Sequence, residues 1–136
     1  MGTLLDAYAL VALLEDEPAA SEVERLVRSG GSAIPAISLA EAGQRVLRHA
    51  ALDAEELRSV VSALPIAVIP FTEAHAWRAA VLRARHYRRR DGDVSLADCC
   101  LVAVATPADK VATADRAILQ MAEAEGVGTV ELPARY

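Results

Sequence analysis

Aromatic residues are scarce: one Phe, one Trp and three Tyr in 136 residues, 4% of the chain. A core built on large rings is therefore excluded, and with hydrophobic residues at 54%, many of them alanine, the mix favours helices packed closely on something flat. The chain has only one lysine, Lys110, against thirteen arginines, and only two cysteines. Those two, Cys99 and Cys100, are adjacent. Neighbouring Cα atoms lie ~3.8 Å apart, short of the ~4.4 Å a disulfide needs, so they read as reduced core thiols of a cytosolic protein. No run approaches the ~18 apolar residues of a membrane span, and the N-terminus has no basic leader region. A Gly-rich phosphate loop is also missing, which argues against a nucleotide-binding enzyme. The expectation is a single cytoplasmic domain over residues 1–136, large enough to fold without a staple.

Net charge is −5 with an isoelectric point near 5.2, so overall charge gives no affinity for nucleic acid. The distribution is uneven. Six arginines and no acid fall between Ala74 and Arg90, and without them eight bases face nineteen acids.

Short apolar runs alternate with helical patterns. Gly2–Asp6, Ala33–Ile37, Ile66–Ile69, Lys110–Thr113 and Thr129–Leu132 read as strands, with Pro35 demoting the second toward an edge or an irregular strand. Ser38 with Glu41, and Ser95 with Asp98, have the spacing of capping boxes; Asp53 and Thr72 read as further N-caps. The pattern predicts an α/β domain on a parallel sheet of about five strands joined by right-handed crossovers. Strand order is not readable from it.

In open α/β sheets ligands bind at the carboxyl ends of the strands. Asp6, Glu41, Asp98 and Asp115 fall at such strand-to-helix junctions. Four converging carboxylates repel one another unless a cation lies between them, and an all-oxygen set suits Mg²⁺ or Mn²⁺. No His or Cys stands at zinc spacing. Each acid also has a bland role, Asp6 and Asp115 as helix caps and the other two as capping-box partners. The set of four carries the case.

Leu4-Leu-Asp6-Ala-Tyr-Ala-Leu, Ile37-Ser-Leu-Ala-Glu41, Leu96-Ala-Asp98 and Val111-Ala-Thr113-Ala-Asp115-Arg resemble, in order and separation, the acidic motifs of PIN-domain proteins. The likeness is greatest to VapC-type toxins of bacterial toxin–antitoxin pairs. That resemblance implies a three-layer α/β/α sandwich and Mg²⁺- or Mn²⁺-dependent endoribonuclease activity leaving 3′-hydroxyl and 5′-phosphate ends. It also implies a homodimer and a small VapB-type antitoxin as partner. Asp6, Glu41, Asp98 and Asp115 would be the metal-holding and catalytic acids, with the Thr113 hydroxyl ordering a carboxylate or water beside them.

Within the basic segment, Arg85, Arg88, Arg89 and Arg90 are candidates for holding the RNA backbone, the alternative being a solvated helix face. Trp77 reads as a core residue rather than a base-stacking one, His86 as a surface residue, and Asp93 as part of a solvated loop. The apolar stretch Ala7–Val27 reads either as internal core or as a partner groove. Two rivals remain: a catalytically idle PIN-like binding module and a phosphate-accepting receiver domain. The second fails, because Ile66–Ile69 ends in Pro70-Phe71 where an acceptor Asp is needed.

Overall fold

The computed structural model describes residues 2–87 and 94–134. Five strands, β1 (Thr3–Leu5), β2 (Ser32–Pro35), β3 (Ala67–Ile69), β4 (Lys110–Thr113) and β5 (Gly128–Glu131), form one sheet in the order β3-β2-β1-β4-β5, every pairing parallel. Helices α1 (Ala7–Glu15), α2 (Ala20–Arg28), α3 (Ala36–His49) and α4 (Ala54–Ser62) cover one face; α5 (Glu73–His86), α6 (Leu96–Val104) and α7 (Arg116–Ala124) cover the other. The result is the three-layer α/β/α sandwich expected.

Because both faces are covered, the central strands carry apolar residues without polar alternation. Leu4 and Val111 face α5–α7, while Leu5, Ile34 and Ala112 face α1–α4, all at most 1% exposed. Truncating such a side chain to alanine costs about 2–5 kcal/mol. Four successive residues of α1, Ala9–Ala12, are buried and form part of the core, while Ala7, Tyr8, Leu13 and Leu14 of the same helix are only half-buried. Cys99 and Cys100 are buried thiols on α6. Among the described residues no helix is long and apolar enough to cross a membrane.

Pro35 does not make β2 an edge. It is the last residue of an interior strand, opposite Ile69, and doubles as the N-cap of α3 with φ −62°. A proline at a strand's end removes no ladder hydrogen bond from its interior. Because α3 starts at Ala36, Ser38 is already inside the helix and forms no capping box with Glu41.

The boxes expected elsewhere do form. Ser95 and Asp98 cap α6 reciprocally, and Asp53 with Glu56 caps α4. At the other end of α6, Arg78 of α5 donates to the carbonyls of Ala103 (3.2 Å) and Ala105 (2.6 Å). A guanidinium there satisfies carbonyls that the helix leaves without partners and favours the negative end of its dipole. Arg78→Ala is expected to lower stability by about 1–2 kcal/mol, read as a lower urea midpoint at unchanged slope. Finally, α7 closes with a Schellman turn: Val127 N–H bonds to Ala122 O and Gly126 N–H to Glu123 O, with Gly126 at φ +73°.

Candidate active site

The parallel sheet aims the ends of β1, β2 and β4 at the same edge, and the chain turns into a helix immediately after each. Asp6 follows β1 directly, Glu41 lies in the second turn of α3, Asp98 in the first turn of α6, and Asp115 caps α7. All four line one open cavity of about 380 Å³. Ser38 and Arg45 of α3 and Tyr8 of α1 share its wall.

Asp6 is the most constrained. At 6% exposure its Oδ1 accepts from Ala9 N–H (2.8 Å), capping α1, and its Oδ2 accepts from the Thr113 hydroxyl (2.5 Å). Thr113 is fully buried, and its oxygen in turn accepts from Asp115 N–H (3.0 Å). The hydroxyl thereby ties the end of β1 to the end of β4. Burial is the main cause that raises the Asp6 carboxyl from its ordinary 3.8 to about 6; the two hydrogen bonds oppose the rise, and the charges of Asp115 and Asp98 add to it.

The other acids are only partly committed. Asp98 Oδ2 accepts from Ser95 N–H (2.9 Å), and Asp115 Oδ1 accepts from Ala117 and Ile118 N–H (2.8 and 3.4 Å). Desolvation, and then the neighbouring Asp115 charge, raise the Asp98 carboxyl against the pull of Ser95. Glu41 is raised by desolvation and then by Asp98. The capping and cavity roles of these acids thus coexist, each residue having two oxygens.

Among the described residues no group of three or more His, Cys, Asp or Glu is drawn together tightly enough to hold an ion as it stands. The carboxylates surround the cavity and do not converge. Burial is the main cause that raises the Asp6, Glu41 and Asp98 carboxyls, and their mutual repulsion adds to it. Hard oxygen donors in this number suit a hard divalent cation.

Of the four arginines named for the RNA backbone, only Arg85 lies within the described residues. Arg85 does not line the cavity; its guanidinium holds both Glu125 oxygens (2.7 and 2.8 Å) at the far end of α7 from Asp115, about 15 Å along that helix. His86 joins the same carboxylate (2.7 Å) and is mostly covered, so it is no free surface residue. Trp77 is 68% exposed and donates to Glu73 Oε2 (3.3 Å), so it is not in the core. Its neighbours at one-turn spacing, Glu73, Ala74, Ala80 and Val81, leave it uncovered, Val81 being itself exposed. Arg88, Arg89, Arg90 and Asp93 lie outside the described residues. The wall residue that sequence reasoning passed over is Arg45. Its signal was available, since a residue four places after Glu41 lies on the same helix face.

The sequence model of the PIN domain matches residues 3–127, and the chain belongs to that family. No curated protein matches it. Its fold is similar to that of a DNA-bound VapBC from Salmonella typhimurium, with 18% identity over 96% of this chain and 98% of that one and a TM-score of 0.69. FitAcB from Neisseria gonorrhoeae is similar at 20% identity over 95% and 96%, TM-score 0.63. A toxin–antitoxin complex from Klebsiella pneumoniae follows at 18% over 83% and 86%, TM-score 0.61.

Proposed function

We propose that the protein is a Mg²⁺- or Mn²⁺-dependent endoribonuclease serving as the toxin of a VapBC-type toxin–antitoxin pair. The observation that carries this reading is the cavity whose wall gathers Asp6, Glu41, Asp98 and Asp115 from four separate segments at the carboxyl edge of the sheet. These four would hold the cation. Bound there, it supplies Lewis acidity toward the scissile phosphate and acidifies the attacking water.

The chain's own groups do the rest. Thr113 fixes the Asp6 carboxylate, and through Asp115 N–H it fixes the start of α7. The uncommitted oxygen of Asp98 or Asp115 orients the water and takes its proton. Membership of the PIN family and the likeness to toxin–antitoxin complexes support the biological role, with a small antitoxin as partner; a homodimer is the working unit proposed with it. A basic antitoxin tail would meet charge complementarity in the acidic cavity.

The test is cleavage of a mixed RNA preparation with Mn²⁺, with EDTA, and with Asp98→Asn. Metal-dependent cutting that leaves 5′-phosphate ends and falls by at least about a hundredfold in the variant is expected. Wild-type protein that binds RNA and Mn²⁺ yet cuts nothing would point to the idle binding module instead.

A further inference from the structure

A second cavity, about 560 Å³, adjoins the acidic one. The two share Ala114 and Ala134 in their walls, so they meet where β4 turns into α7 and where the chain runs on past β5. The dividing backbone is fixed: Leu132 N–H bonds to Thr113 O (2.9 Å), and the Tyr8 hydroxyl donates to Pro133 O (3.0 Å). Each cavity has one guanidinium in its wall, Arg45 of α3 in the first and Arg116 of α7 in the second.

Neither arginine makes a hydrogen bond or ion pair with another described residue. Arg45 sits one turn after Glu41 on the same face, yet the two form no ion pair, so its charge is not spent on neutralising its neighbour. Arg116 shares its cavity with the exposed Glu131 and is likewise unpaired among the described residues. The contrast with Arg78 and Arg85 is direct, since both of those are bonded to other residues of the chain, Arg78 to carbonyls of α6 and Arg85 to Glu125. An arginine held in a concave wall beside carboxylates and left without a partner is placed for a planar, two-pronged anion such as a phosphodiester.

We propose that the joined cavities form one track for a single RNA strand, in which Arg45 and Arg116 grip backbone phosphates on opposite sides of the acid cluster. This rests on the nuclease reading and adds the path of the substrate to it. The acids alone repel a polyanion. Two positive charges flanking them, one on α3 and one at the start of α7, give the backbone a register in which the phosphate between the two grips lies over the carboxylates. Phosphate contacts of this kind position a strand without reading its bases, and each one removed lowers the salt dependence of binding. Arg45 and Arg116 are thus positioning residues.

The measurement is anisotropy of a fluorescein-labelled 15-nucleotide single-stranded RNA of mixed sequence, against salt. It uses full-length protein in the Asp6→Asn background, so that the probe stays intact. Arg45→Ala and Arg116→Ala are each expected to weaken binding about tenfold at 100 mM salt and to reduce the log–log salt slope by about 0.7. Arg45→Lys keeps the slope and part of the affinity. Arg48→Ala, on the same helix but outside both cavities, removes equal charge and changes binding less than about twofold. Melting temperatures matched to the parent exclude unfolding, and Arg45→Gln and Arg116→Gln replace any alanine variant that fails this check.

Wild-type cleavage of mixed RNA with Mn²⁺ is measured alongside. If wild type cuts RNA but all three alanine variants bind alike, the track is wrong and the nuclease reading stands. If wild type neither binds nor cuts RNA, the nuclease reading falls and the track falls with it.

Discussion

Replacing Asp6 by Asn should cost about a thousandfold in kcat/KM for RNA while making the metal-free protein harder to unfold at neutral pH. The first effect follows from removing one charge of the set proposed to hold the cation. Such an ion contributes several kcal/mol to the transition state, and each ~1.4 kcal/mol is a factor of ten. The second effect follows from burial. The Asp6 carboxyl titrates at about 6 in the fold against an ordinary 3.8, so between those values the folded state holds a proton that the unfolded chain has released. Stability then falls as pH rises through that window, and above it the ionised group burdens the fold by about 3 kcal/mol, an order-of-magnitude figure.

Asn is nearly the same shape and can still accept from Ala9 N–H. It carries no charge to desolvate and does not titrate. Wild type without metal should therefore lose stability between roughly pH 4 and pH 6, and Asp6→Asn should lose much less over the same range. Urea midpoints at four or five pH values check this. A variant less stable than wild type at every pH would make Asp6 a helix cap and little else.

Thr113→Val should lower stability by about 2 kcal/mol, roughly 8 °C in Tm, and cleavage by about 10–100-fold. Valine matches threonine in shape, so packing is kept and the loss isolates the hydroxyl. That hydroxyl has two partners in a fully buried place: it donates to Asp6 Oδ2 and accepts from Asp115 N–H. Without it an anionic oxygen and an amide are left unpaired, which costs more than the bond itself contributes. Since the Thr113 hydrogen bond also holds the Asp6 carboxyl down, its loss should move the pH window described above upward. Thr113→Ser keeps the hydroxyl, and near wild-type cleavage in it would separate the hydroxyl's role from a packing defect. Equal losses in Ser and Val would assign the effect to packing.

Much of the fold was legible because the punctuation is local. Ser95, Asp53 and Thr72 cap helices where their spacing says they should, since a side chain three residues from an amide either bonds it or does not. Ser38 misled for a related reason. It has the same spacing to Glu41, but Pro35 ends its strand in an extended conformation and α3 can begin at once, placing Ser38 inside the helix. Strand order was not legible because the central strands, buried on both faces, all read as short apolar runs with nothing to tell one from another.

The site was partly legible for the same reason as the helices: Asp6, Glu41 and Asp115 each sit close in sequence to a strand end, and the parallel sheet gathers those ends without further information, whereas Asp98 comes to them from the first turn of α6, a helix that follows α5 and no strand. Arg78 and Arg85 could not be sorted from Arg45 and Arg116 by composition. What separates the two pairs is long-range, namely the carbonyls of α6 and the Glu125 carboxylate, 25 and 40 residues away in the chain.

The most direct test of the central claim is to titrate Mn²⁺ against thermal unfolding of wild type and Asp6→Asn in parallel. If the four carboxylates are a cation site, wild type should gain stability as the logarithm of ion concentration once above Kd, by about 1.4 kcal/mol with the ion at ten times its Kd, and the variant should respond little or not at all. No gain in wild type, or the same gain in both proteins, would contradict the assignment of the acidic cavity as a metal centre.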